Sequence, residues 1–169
     1  MRHEYERDEA RRGNRRGLRL VFLFVFSVSL TSAVASQTTS ELDPAVAARL
    51  QQQVGGGSTE AKRSALVEIR NLQKAYASQL AVPALRDADP MVRATAASSV
   101  VYLPKNEAAG ALIPLLTDRD EFVRREAAYA LGAVGDAAAT LPLVQMMRSD
   151  KILEVRTAAA VAIGRIRDP

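Results

Sequence analysis

The sequence predicts an all-α fold, a stack of about three and a half helical hairpins. Three observations carry that reading. A Val-Arg pair heads an alanine-rich stretch three times, at Val92-Arg93, Val123-Arg124 and Val155-Arg156. Apolar residues recur behind each pair at helical rather than alternating spacing. No segment carries the period-two pattern of a half-buried strand.

Taken in order, residues 1–35 read as an export signal. Arg11, Arg12, Arg15, Arg16 and Arg19 form a positive stretch, residues 20–30 are apolar, and small residues end in Ala33-Val34-Ala35. Signal peptidase accepts only small side chains at such a place, so cleavage is expected between Ala35 and Ser36. The apolar run is shorter than the roughly 20 residues that cross a bilayer. The expected destination is the bacterial periplasm or the exterior. If the segment stays uncleaved, the protein is a membrane-tethered scaffold instead.

Asp43-Pro44 then opens a short helix, expected to reach Gln53, and Gly55-Gly56-Gly57-Ser58 breaks it. Residues 36–57 are therefore read as an N-terminal helix and glycine-rich linker, and residues 58–169 as the repeat domain. Within that domain, one helix of each unit (A) carries Ala61, Val92, Val123 and Val155 at its first core position. Ala65, Ala96, Ala127 and Ala159 follow, then Ile69, Val100, Leu131 and Ile163, then Leu72, Leu103, Val134 and Ile166. These offsets of 4, 8 and 11 residues, one to three helical turns, place the set on one stripe. The second helix (B) carries Ala77, Ala81, Ala84 and Leu85; then Ala108, Leu112, Leu115 and Leu116; then Ala139, Leu143, Met146 and Met147. Asp89-Pro90 and Asp120-Glu121 are helix starts, and Gly135-Asp136 ends one helix and caps the next.

The phrase Asp118-x-Asp120-x-x-Val123-Arg124-x-x-Ala127-Ala128-x-x-Leu131-Gly132-x-x-Gly135-Asp136, with B helices closing in Leu115-Leu116 or Met146-Met147, resembles HEAT-like repeats, closest to the short class first noted in bilin lyases. The resemblance covers roughly residues 58–168, with the first copy departing at Ser58 and Lys62. It implies a right-handed α-solenoid whose B helices line a concave binding face. It also implies that the repeated arginine is structural, pairing with the aspartate four residues earlier and with neighbouring repeats. The expected ladder is Asp89/Arg93, Asp120/Arg124 and Asp150/Arg156, its exposed rungs worth about 0–1 kcal/mol each. A row of arginines binding phosphates is the rival reading, and the in-phase acids favour the ladder.

The chemical inventory narrows function further. Net charge is +4, but seven of the 23 basic residues and four of the 19 acidic ones lie in residues 1–35, so the remainder is near neutral. A neutral body lacks the basic footprint of a nucleic-acid binder. Cysteine is absent and His3 is the single histidine. Most metal sites and most nucleophilic triads need one or the other, so no catalytic, metal or cofactor residues are assigned and none is expected. Some metal-dependent hydroxylases use this fold, but they need His-Glu pairs for iron. Bilin attachment is intracellular, which the export signal contradicts.

The expected function is an exported, non-catalytic adaptor that binds protein or peptide through its B-helix face. Candidate contacts are Tyr76, Gln79, Val82, Arg86, Glu107, Ile113, Leu141, Val144 and Arg148. Val82, Ile113 and Val144 are equivalent across repeats and form either an apolar partner stripe or the packing between B helices. The alternative function is a subunit of an enzyme complex of the lyase-like kind. The last A helix lacks a following B helix, which is consistent with a fragment, with cover from another chain, or with end-to-end self-association through the N-terminal helix 44–53 of a second copy.

Overall fold

The computed structural model describes residues 42–167. Among them are eight α-helices: α1 (Pro44–Gly56), α2 (Thr59–Leu72), α3 (Ala75–Gln79), α4 (Pro90–Ser99), α5 (Lys105–Leu112), α6 (Glu121–Val134), α7 (Thr140–Ser149) and α8 (Leu153–Arg167). Three 3₁₀ turns, Val82–Arg86, Ile113–Thr117 and Ala137–Ala139, complete the described residues, which contain no strand. The export segment and its Ala35/Ser36 cleavage site lie outside the described residues, as does Asp168. No helix among the described residues is long and apolar enough to cross a membrane.

Helix starts follow from side chains that occupy the first free N–H groups. Asp43, Asp89 and Asp136 each accept from the N–H two residues on, all at 2.8 Å. Asp120 accepts from both Phe122 (2.9 Å) and Val123 (3.3 Å). Gly135 ends α6 in the left-handed region (φ 70°), a conformation that glycine adopts without steric cost, and returns its N–H to Leu131.

Helices α2, α4, α6 and α8 form the A layer, each packed on its neighbour. The apolar stripe is buried where the repeat reading puts it, with Ala65, Ala96, Ala127 and Ala159 all sealed from solvent. Small residues also sit where A helices cross. Ser99, Ala130 and Ala162 are equivalent and buried, and Ser99 Oγ lies 2.9 Å from the Leu66 carbonyl of the helix behind it. Beside Ala162, Gly132 lets the backbones approach so closely that a β-carbon would lie 2.7 Å from the Ala162 Cα.

Two expectations need correction. First, α1 is longer than predicted, because Gly55 and Gly56 remain helical. Only Gly57 leaves the helix, its N–H bonded to the Gln53 carbonyl, and a β-carbon there would lie 2.6 Å from that oxygen. Nor does a linker set α1 apart. Leu50 and Val54 are buried against the repeats, and α1 takes the place of a B helix ahead of α2.

Second, the B helices are not uniform. The first two break into a short α-helix and a 3₁₀ turn, while α7 runs unbroken to Ser149. The cause is proline register. Pro83 and Pro114 are equivalent positions that lack an N–H and crowd the preceding turn. The third unit has Gln145 there, and its own proline, Pro142, falls in the first turn of α7 where no N–H is needed.

Gly132→Leu should lower stability by about 1–3 kcal/mol through overpacking at the Ala162 crossing. A fall in the urea midpoint with an unchanged slope would be the expected result.

Candidate functional site

The repeated cation and the loop acids build a ladder, but with different partners from those expected. Arg93 Nε and Nη2 donate to the two carboxylate oxygens of Asp118, both at 2.8 Å, so the pair spans 25 residues and joins one repeat to the next. Its Nη1 donates backwards to the carbonyls of Asp87 (2.9 Å) and Ala88 (3.0 Å). Arg124 repeats the arrangement with Asp150 at 2.7 and 3.1 Å and with the Asp118 carbonyl at 2.9 Å. Lys62 opens the series with Asp87 at 2.7 Å.

The pairings Asp89/Arg93, Asp120/Arg124 and Asp150/Arg156 are therefore corrected. Asp89 and Asp120 are occupied as helix caps, and the arginine side chain is long enough to reach past its own cap into the following loop. The Asp150 carboxylate belongs to Arg124, and Arg156 takes only the Asp150 carbonyl, at 2.9 Å. The rungs are also buried rather than exposed, with side chains of Arg93, Asp118, Arg124 and Asp150 at most 10% accessible.

Burial and pairing act in opposite directions on the acids. Lys62 and the Asp89 N–H hold the Asp87 carboxyl below the usual carboxylate range. Burial pushes Asp118 up, but the Arg93 guanidinium and the Asp120 N–H outweigh it and leave the group lowered. Arg124 holds Asp150 down against its burial. The same contacts raise Arg93 and Arg124, which stay charged.

The ladder walls one side of a groove of about 640 Å³ between the second and third B segments. Ile113, Leu116, Pro142 and Met146 supply apolar lining, and Asp118, Arg124 and Asp150 belong to the rungs. The Ser149 and Thr117 hydroxyls donate to their own helix carbonyls, at 2.8 and 3.0 Å. That leaves the Gln145 amide and the Lys151 ammonium as the exposed polar groups facing the space. Such a groove can hold an apolar side chain and hydrogen-bond a neighbouring backbone. Among the described residues there is no group of three or more histidine, cysteine or acidic residues able to hold a metal.

Of the nine candidate contacts, only Ile113 lines this groove. Tyr76, Gln79, Arg86, Glu107, Leu141 and Arg148 are exposed elsewhere on the B segments. Val82 and Ile113 are half-buried and packed against the core, and Val144 is half-buried, so the three do not form an open stripe. Leu116 and Met146 were legible only as core positions, yet they also line the groove. The available signal was Gln145, a polar residue standing where two other repeats carry proline.

Asp118→Asn should cost about 3 kcal/mol, because it leaves the buried Arg93 charge without its counterion; urea denaturation measures it. Stability should also fall in acid. The rung acids ionise more readily in the folded chain, so their contribution is complete above the unfolded carboxylate range, about pH 3.9, and is lost as pH drops through the lower folded values. A melting temperature flat from neutral pH to about pH 5 and falling below about pH 4, with a smaller fall in Asp118→Asn, is the expected profile.

The family model for HEAT repeats matches residues 78–164. No curated protein matches the sequence. Among solved structures, human deoxyhypusine hydroxylase in complex with glycerol is similar, with a TM-score of 0.59 and 26% identity over 73% of this chain and 42% of that one. An engineered protein has a TM-score of 0.54 and 24% identity, over 73% of this chain and 63% of its own. The chain thus spans less than two thirds of the length of either. The repeated hairpins, their ladder and the match to the family model agree: the chain belongs to the HEAT repeat family.

Proposed function

We propose that this protein is an exported, non-catalytic HEAT-repeat scaffold that holds a peptide or protein segment in the groove beside Gln145. One observation carries the reading. The rung groups lining the groove are already paired, Arg124 with Asp150 and Asp118 with Arg93, whereas its apolar lining, the Gln145 amide and Lys151 are available. Committed carboxylates supply neither a free general base nor a free acid, which weighs against a lyase-like role. The hydroxylase likeness brings no iron chemistry here, since residues 42–167 hold neither histidine nor cysteine. Export rests on the residues of the first 35 positions alone. A membrane-tethered form is the second reading, and the mature N-terminus separates the two: Ser36 means release and Met1 means tethering.

Gln145→Glu with Lys151→Glu changes two exposed side chains and should leave the fold intact. Recovery of a partner from the cell envelope with wild type, and its dissociation constant about tenfold higher with the double variant, is the expected result, equivalent to roughly 1.4 kcal/mol. A partner bound equally by that variant but lost on Tyr76→Ala with Arg86→Ala would move the site to the first B segment and overturn the groove reading.

A further inference from the structure

The outer face of the A layer carries a trough that the repeat pattern does not require. At the 31-residue period, Arg63, Ala94 and Arg125 are equivalent, as are Val67, Ser98 and Tyr129. Helix α4 therefore has small side chains where α2 and α6 have large ones, and a groove of about 210 Å³ lies over it. Arg63, Val67 and Arg70 line it from α2, and Phe122 and Glu126 line it from α6. The charges around it are unbalanced. Glu126 is paired with Arg125 at 3.6 Å, and Arg125 also stacks over the Phe122 ring at 4.6 Å. Glu68 is taken by Arg49 at 2.6 Å, and neither Arg63 nor Arg70 makes an ion pair among the described residues. Arg63 Nε is buried without a hydrogen-bond partner, and such a donor is costly to leave unmade. Arg93 and Arg124 use that same nitrogen, at 2.8 and 2.7 Å, to hold the carboxylates of Asp118 and Asp150. Beside the two arginines, Val67 and Met91 leave more than a third of their surface in water.

We propose that this trough is a docking site for an acidic amphipathic helix of a partner protein. Two of its carboxylates pair with Arg63 and Arg70, and an apolar residue between them covers Val67, Met91 and Phe122. Charge selects the acids, because two guanidinium forks with no counterion of their own match carboxylate geometry. Spacing selects the helix. Arg63 and Arg70 stand seven residues apart on α2, about 10 Å along its axis. Acids seven residues apart on a second helix share one face and the same separation. An extended segment presents same-face residues about 7 or 13 Å apart and misses that distance. This surface belongs to the A layer, so it does not depend on the groove between the B segments beside Gln145.

The probe is a rhodamine-labelled, alanine-based synthetic helix of about 18 residues. It carries two glutamates seven residues apart and two leucines between them on the same face. Titrated with the full chain and read by anisotropy, it should saturate with a dissociation constant below about 1 mM. Affinity should fall at least about fivefold with Arg63→Gln plus Arg70→Gln, and as much when both glutamates become glutamines. Moving one glutamate to the opposite face of the peptide keeps its charge and should cost the same. Ser98→Tyr gives α4 the residue that α6 carries and should weaken binding equally while both arginines remain. The variants should melt at the wild-type temperature. If Ser98→Tyr lowers its own, the displaced glutamate makes the same distinction between shape and charge. Absence of saturation, binding indifferent to the arginine pair, or equal binding of the displaced-glutamate peptide overturns the proposal. So does a single-stranded oligonucleotide that binds more tightly and is lost in the arginine double variant, which would assign the face to phosphates.

Discussion

The interior repeats of this protein are tied together by Arg93 and Arg124, each with a guanidinium that satisfies two loops at once. A charge taken out of water is costly unless its hydrogen bonds are replaced. Arg93 and Arg124 replace them with two carboxylate oxygens ahead and loop carbonyls behind. A buried pair of this kind is weak as a net source of stability against an apolar substitute. What it supplies is position, because the fork has one geometry in which all its bonds are made. By contrast, the Arg49–Glu68 pair on α1 and α2 is nearly half-exposed on both sides, and water screens it.

Other features depend on that position. With the loops held in register, the A helices approach closely at Ser99, whose Oγ reaches the Leu66 carbonyl, and at Gly132 with Ala162, where a β-carbon would not fit. The same register puts Asp118, Arg124 and Asp150 along one wall of the groove, where they are polar but already satisfied. The opposite wall is shaped by a single difference between repeats. Proline at 83 and 114 tightens the B segment into a 3₁₀ turn, and glutamine at 145 leaves α7 regular to its end. The irregular second B segment lies beside the regular α7, and Gln145, the residue that differs, lines the groove between them.

Much of the architecture was legible from spacing. The all-helical class, the repeat register and one core stripe of each A and B helix could be read directly, since a period of 31 or 32 residues places equivalent side chains in equivalent environments. The second buried face of the A helices, with Leu66, Ala97, Ala128, Ala130, Ala158 and Ala162, was not. The capping aspartates were equally legible, because Asp followed by Pro or an acid has few other uses at a helix start. Of the ladder, Arg93, Arg124 and Asp150 were legible, but neither their pairing nor the other members were: Asp89 and Asp120 cap helices, and Lys62, Asp87 and Asp118 take part instead. Asp87, Asp89, Asp118 and Asp120 all lie near an arginine in sequence, and only the path of the loops determines which oxygen reaches which nitrogen.

By itself, then, the sequence determined which residues share a helix face, because helical periodicity is a local property of the chain. Tertiary structure alone decided three further matters: that Arg93 and Arg124 bridge forward and are buried, that α1 joins the stack, and that Leu116 and Met146 line a groove as well as a core. Each depends on distances between elements remote in sequence. Those distances follow from how closely Gly132 lets two backbones approach and how sharply Pro114 turns a third, quantities set by packing in three dimensions that no spacing along the chain encodes.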